Sequence, residues 1–248
     1  MNPPDTVPLS SKRAGLLESA MQKLLMRTAH VVAVEDVGTA FRIVTLGGES
    51  LRGAGWEPGD KLQIQLGGWV QRTYTPLDWD VESGRTRIPL YLHGDGPGAH
   101  WARTVRSGDK CVAFGPRKSV DLMRLKSSVI LFGDETSFGI AAALIGARAS
   151  PRTQMFFEVS SVAQAQPVLR LLGLEDAHLN ARRDDEGQLI DLEEKMRAAL
   201  EAQPTAAVVL TGKADSIQYM RKLLRRLGVG ANRSQAKAYW KPGKTGLD

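Results

Sequence analysis

Arg72, Thr73, Tyr74 and Thr75 put a guanidinium, an aromatic plate and two aliphatic hydroxyls side by side, directly after the strand-like run 60–71. A guanidinium is a planar fork suited to phosphate oxygens, and a tyrosine ring is an amphipathic plate on which a fused aromatic system can lie. In an extended strand Arg72 and Tyr74 share one face, and Thr73 and Thr75 share the other. The Thr75 backbone and hydroxyl can hydrogen bond the polar edge of such a ring. Four residues alone fit an ordinary exposed strand at least as well, so the chemistry needs support from elsewhere in the chain.

Three further segments supply it. In "LHGDGPGAHWARTVRSGD" (92–109) a strand ends at His93, a turn runs through Gly94, Gly96, Gly98 and Ala99, and a short helix carries His100 and Trp101. Glycines let a backbone approach a ligand closely, and free N–H groups at a helix start attract phosphate. The glycine spacing superficially matches a dinucleotide fingerprint, but no βαβ unit surrounds it. Trp101 also reads as a plain hydrophobic anchor. In "VILFGDETSFGIAAAL" (129–144) a buried strand ends at Gly133, and Asp134, Glu135 and Thr136 form a polar turn before a helix, where open α/β sheets collect ligands. Asp and Thr are also good helix caps. Finally, "AKAYWKPGKTGLD" (236–248) sets Tyr239 and Trp240 among Lys237, Lys241 and Lys244, either to cover a ligand or to pin the terminus.

The elements that must position these residues have two grammars. Up to residue 122 the text is short alternating strands separated by Gly, Pro and Asp, at the spacing of an antiparallel barrel. From residue 123 strands alternate with helices, and continuous apolar strands such as "SVILF" and "AAVVL" suit a parallel sheet covered on both faces. We therefore expect a domain of residues 1–122, with an N-terminal helix on the stripe Leu16, Leu17, Ala20, Met21, Leu24 and Leu25, and a second of residues 123–248.

Composition narrows the function. With 248 residues and 42% hydrophobic content the chain can build a substantial core. Its single cysteine, Cys111, can form neither an internal disulfide nor a cysteine-ligated cluster, and the four histidines lack metal-ligand spacing. No bound metal, no membrane span and a reducing, cytoplasmic home are expected. The net charge of +6 is uneven: acids outnumber bases nine to four over 175–201, whereas nine Lys or Arg, Arg233 among them, face only Asp215 over 213–244. That basic block is either a solvated face or an attractor for anions. It carries no nucleic-acid motif, and nucleic acid ranks last among the partners.

Taken in order and at these separations, "RTYT", "HGDGPGAHWA", "GDETSFGIAAAL" and "YWKPGK" resemble the siderophore-interacting protein family, the FAD-containing ferric siderophore reductases. The resemblance spans residues 30–244. It implies a ferredoxin reductase-like plan: a Greek-key flavin-binding barrel followed by a parallel α/β NAD(P)-binding domain. By the same resemblance Arg72 holds the FAD pyrophosphate, Tyr74 lies on the isoalloxazine and Thr75 approaches its reactive edge. Thr73, His93, Gly94, Gly98, Ala99, His100 and Trp101 complete the flavin site, Gly133 to Thr136 border the nicotinamide, and Tyr239 and Trp240 sit by the flavin. Lys237, Lys241, Lys244 and Arg233 then face an anionic ferric complex. The implied activity is a cytoplasmic, monomeric reductase moving electrons from NADPH or NADH through FAD to a ferric siderophore. Other acceptors, a ferredoxin donor and a non-catalytic siderophore carrier are the alternatives. Three departures stand out: Leu77 where an arginine is common, Ala99 for serine, and Lys213 for glutamate after the last expected strand.

Overall fold

The structure, a computed structural model, describes residues 26–68, 70–147 and 152–244. The helix expected at 16–25 lies outside them.

Seven strands form an antiparallel, barrel-like sheet in the order β4-β3-β7-β1-β2-β6-β5: β1 (Met26–Val37), β2 (Phe41–Gly47), β3 (Lys61–Gln65), β4 (Gln71–Tyr74), β5 (Asp78–Asp80), β6 (Arg85–Tyr91) and β7 (Lys110–Arg117). Alternation decides which side faces in. In β6, Thr86, Ile88 and Leu90 are buried while Arg85 and Arg87 face water, and the inward set packs with Val44, Leu46, Leu62, Ile64 and Ala113. Helix α1 (Pro97–Thr104) closes this half between β6 and β7.

The second half is a parallel sheet in the order β10-β9-β8-β11-β12: β8 (Val129–Gly133), β9 (Thr153–Val159), β10 (His178–Ala181), β11 (Ala207–Lys213) and β12 (Ser234–Trp240). Among the described residues four helices connect them: α2 (Phe138–Gly146), α3 (Val162–Leu171), α4 (Gln188–Ala202) and α5 (Ala214–Arg226). Every residue of β8 is buried, as a central strand covered on both faces requires. The order reverses direction between β8 and β11, so their carboxyl ends make a topological switch point. The two-domain, ferredoxin reductase-like plan read from the sequence is the plan the chain adopts.

One corrected element matters for the site. The aromatic C-terminal segment, expected as a tail, is a strand: Val208 to Gly212 pair in register with Ser234 to Ala238. Its composition hides it, because an edge strand half open to water carries polar residues and alanines in place of β-branched ones.

The halves share one core. Phe41, Ile43 and Leu77 of the barrel pack with Phe138, Ile140 and Leu144 of α2, and the Phe41 and Phe138 rings stack at 5.5 Å. Gly139 makes the contact close: a Cβ there would lie 2.5 Å from the Thr75 carbonyl oxygen. Leu77, the position where an arginine was common, is therefore an interface residue and buried. The connection between halves is fixed too, since the Gln235 amide accepts from Asp121 N and donates to Asp121 O.

Candidate functional site

A cleft of about 380 Å³ opens where barrel, glycine loop and switch point meet, a volume in the range of small-ligand sites. Phe41, Pro89, Leu90, Ala99 and Ala102 give it apolar lining. Around it stand Arg72 to Thr75, His93, Gly94 and Gly98, then Glu135 and Thr136, and finally Lys237, Tyr239, Trp240, Lys241 and Lys244. Segments separated by more than a hundred residues thus share one cavity.

Each wall follows from local structure. β4 is an edge strand of its sheet and ends at Tyr74, so backbone as well as side chains of 71–75 border the cleft. That brings Thr73 and Thr75 to the same cavity as Arg72 and Tyr74, although strict alternation separates them. Arg72 Nη1 donates to the Gln71 carbonyl at 2.7 Å. The Tyr74 ring leans on Trp101 at 6.0 Å, and burial pushes its hydroxyl pKa well up.

The glycine loop fits an anion with a flat ring. Gly98 lies against Arg72 and Tyr74, where a Cβ would come within 3.1 Å of Arg72 Cγ, while Gly94 and Gly96 face open space. Gly96 caps α1 without a side-chain hydrogen bond, leaving the first N–H groups of the helix available to phosphate oxygens. His93 stacks on Tyr91 at 4.7 Å. Its pKa is lowered, first by desolvation, with Arg182 and Arg103 assisting against Glu135.

At the switch point the turn 134–137 carries the buried charges. Asp134 is fully buried, and its carboxylate accepts from Thr136 N (2.9 Å), the Thr136 hydroxyl (2.5 Å), Lys213 N (2.8 Å) and Trp240 Nε1 (2.7 Å). Gly212, with φ +102°, makes room: a Cβ there would strike Asp134 Oδ2 at 2.5 Å. Burial pushes the Asp134 pKa up to about 6, against the pull of Thr136 and Arg182. Burial also acts on Glu135, but Arg182 outweighs it and holds that carboxyl below its usual range, through bonds of 3.0 and 2.5 Å.

Other expected residues lie elsewhere. Arg233 does not reach the cleft: it precedes β12, donates to the Ala206 carbonyl at 2.9 Å, and sits at the opposite end of the strand from Trp240. Parallel pairing of β11 and β12 dictates that, since a seven-residue strand spans about 20 Å. His100 is exposed on α1 and does not line the cleft. Trp101 packs against the barrel core, and Gly133 and Asp134 are buried and do not line the cleft. Lys213 points its ammonium to Glu186 at 2.8 Å.

Two features escaped the sequence reading. Arg182, just past β10, joins Glu135, Ser160 and the Glu158 carbonyl; nothing in "NARRDD" separates it from the exposed Arg183, and only the position at a parallel strand's carboxyl end marks it. The second is a register shift: Gly212 pairs with Ala238 but Lys213 with Trp240. It lets consecutive residues Tyr239 and Trp240 both border the cleft. The Tyr239 hydroxyl is buried beside Thr75, its pKa raised by burial to about 12, and lacks a well-formed hydrogen bond. Among the described residues no His, Cys, Asp and Glu cluster could hold a metal ion, and no helix is long and apolar enough to cross a membrane.

The chain is similar to known proteins over nearly this whole arrangement. Residues 68–120 match the family model of the siderophore-interacting FAD-binding domain, and residues 126–243 that of the siderophore-interacting protein. The fold matches a siderophore utilization protein from T. fusca (24% identity, TM-score 0.69, covering 90% of this chain and 95% of that one). It also matches the siderophore-interacting protein SipS from Aeromonas hydrophila (23%, 0.72, covering 89% and 93%). A ferredoxin reductase of carbazole 1,9a-dioxygenase shares the architecture (19%, 0.68, covering 86% and 68%). No curated protein sequence matches the chain. The two family models meet at the cleft and together cover more than half of the residues, from the strand that carries Arg72 to the one that carries Trp240: the chain belongs to the siderophore-interacting protein family, and its barrel is an FAD-binding domain.

Proposed function

We propose that this protein is an FAD-dependent reductase that passes electrons from NADPH or NADH to a ferric siderophore and releases Fe(II). One observation carries the reading: a single cleft joins the phosphate-suited Arg72 and glycine loop, the plate of Tyr74, the switch-point residues Glu135 and Thr136, and a rim of lysines.

FAD suits this reaction because it accepts two electrons as hydride and gives them up singly, which nicotinamide and Fe(III) cannot arrange between themselves. The residues' task is then to bind, orient and shield. Arg72 and the N–H groups opening α1 hold the pyrophosphate, Tyr74 and Thr75 orient the ring, and Tyr239 and Trp240 keep water off it. Lys237, Lys241 and Lys244 attract an anionic ferric complex, and no acid or base is required of the protein in the electron step. Ferrous iron binds hard oxygen chelators less tightly, so reduction promotes release. We place the domain boundary between residues 122 and 123 and the enzyme, as a monomer, in the cytoplasm.

The experiment is a spectrum followed by an acceptor comparison. Purified protein should be yellow, bleach anaerobically with NADPH or NADH, and then deliver Fe(II) from a ferric siderophore to a ferrous chelator faster than it reduces a quinone or free flavin. Protein that stays colourless after soaking in FAD would remove the flavin reading. Faster turnover of the quinone would remove the siderophore as substrate.

A further inference from the structure

Trp240 borders the cleft and is anchored through a buried charge cluster. Its Nε1 shares Asp134 Oδ2 with the Lys213 N–H. Arg182 lies 3.8 Å from Asp134 and 4.0 Å from Glu158 and is bidentate on Glu135, so three buried carboxylates share one guanidinium. The same guanidinium stands 5.9 Å from the centre of the Trp240 ring. The indole is thus held at its N–H by Asp134 and faced across its ring by Arg182.

We propose that Asp134 and Arg182 are positioning residues that fix the Trp240 indole at the mouth of the cleft and so set how far the cleft is open. The functional consequence rests on the flavin reading above; the latch itself does not.

Asp134, unlike its neighbour Glu135, is free to change state near neutrality. Glu135 stays ionised because Arg182 holds it so, whereas burial brings Asp134 to about 6. A proton on Oδ2 competes with both donors there. The Lys213 N–H is fixed by β11, but the indole is a side chain near the end of the last strand, and it is the partner that gives way. The groups facing Asp134 are Glu135 and Thr136 on its own turn, Arg182 after β10, Lys213 on β11, and Tyr239 and Trp240 on β12; Glu158 on β9 acts through Arg182. The Lys213 ammonium is occupied by Glu186, and Lys241 by Asp215 at 3.2 Å. From the barrel, His93 faces the indole at 6.4 Å.

The test uses flavin-free protein. The Trp240 fluorescence, taken as wild type minus Trp240→Phe, is quenched with acrylamide between pH 8 and 5. Quenching should rise severalfold as pH falls through about 6, and should lose that rise in Asp134→Asn. Thr136→Val keeps the acid but removes a hydroxyl that favours its charged form, so the midpoint should move up by about one pH unit. That shift is one a purely structural role would not produce, and it keeps the test available if Asp134→Asn fails to fold. A flat wild-type profile, a rise that survives in Asp134→Asn because His93 drives it, or an unmoved midpoint in Thr136→Val each overturns the proposal. Because no flavin is present, these results are independent of whether the cleft binds FAD.

Discussion

Gly98 packs on Arg72 so closely that a Cβ on the glycine would lie 3.1 Å from Arg72 Cγ and 3.5 Å from the Tyr74 hydroxyl. The two motifs are therefore one object: the loop has a glycine because the guanidinium stem and the ring occupy the side-chain space. Arg72 has a flexible stem and can retreat a few tenths of an ångström from a methyl group, so Gly98→Ala should leave FAD affinity within a few-fold of wild type. Gly98→Val cannot be accommodated without moving the fork, and should weaken FAD binding by about tenfold, roughly 1.4 kcal/mol. Fluorescence titration of flavin-free protein with FAD measures both. Equal affinity in all three proteins would mean that Arg72 does not hold the cofactor.

Gly139 is the corresponding point between the halves. A Cβ there would meet the Thr75 carbonyl oxygen at 2.5 Å and Pro89 Cγ at 3.1 Å, and backbone cannot swing aside as an arginine can. Gly139→Ala should lower the unfolding free energy by about 2 kcal/mol. Urea denaturation reads that loss, and since Thr75 borders the cleft, FAD affinity should drop with it.

Alternation in the first half marked its longer strands though not the three-residue β5, and continuous apolar runs marked β8, β9 and β11, because burial on one face or two writes itself into side-chain period. Arg72, Tyr74, Thr75, His93 and Gly98 stood out because each is an odd residue for a plain strand or turn, and all five border one cleft. β12 was not, since "SQAKAYW" lacks the β-branched residues of a central strand. Arg182 was hidden for another reason: its meaning comes from Glu135, Glu158 and Trp240, each more than twenty residues away, and no local pattern carries that distance. Arg233 shows the converse error, a charge assigned to the site by neighbourhood in sequence although the strand between them sets it at the far end.

The lysine rim gives a salt-dependent prediction. Lys237 and Lys241 are half-buried and Lys244 exposed at the cleft. If they steer an anionic ferric siderophore, kcat/KM for that acceptor should fall with ionic strength, as charges more than about 10 Å apart are screened at 0.1 M. Replacing all three with alanine should lower kcat/KM by about tenfold at low salt and flatten the salt dependence, with kcat almost unchanged. A wild-type rate indifferent to salt would deny the rim this role.

Asp134 makes stability depend on pH in a direction opposite to that of an ordinary paired carboxylate. Its folded pKa of about 6 exceeds the ordinary aspartate value of 3.8, so between those limits the native state binds the proton that the unfolded chain has released. Unfolding free energy therefore falls as pH rises through this window, by about 1.4 kcal/mol for each unit of separation and about 3 kcal/mol in full. Asp134→Asn cannot titrate and should escape the loss. Its stability relative to wild type, measured by chemical denaturation at pH 4 and pH 7, should improve by as much as about 3 kcal/mol at the higher pH, whatever the substitution costs at the lower one. A difference that does not change with pH would mean that the four hydrogen bonds to this carboxylate offset its burial completely, and that the hold on Trp240 has no proton to release it.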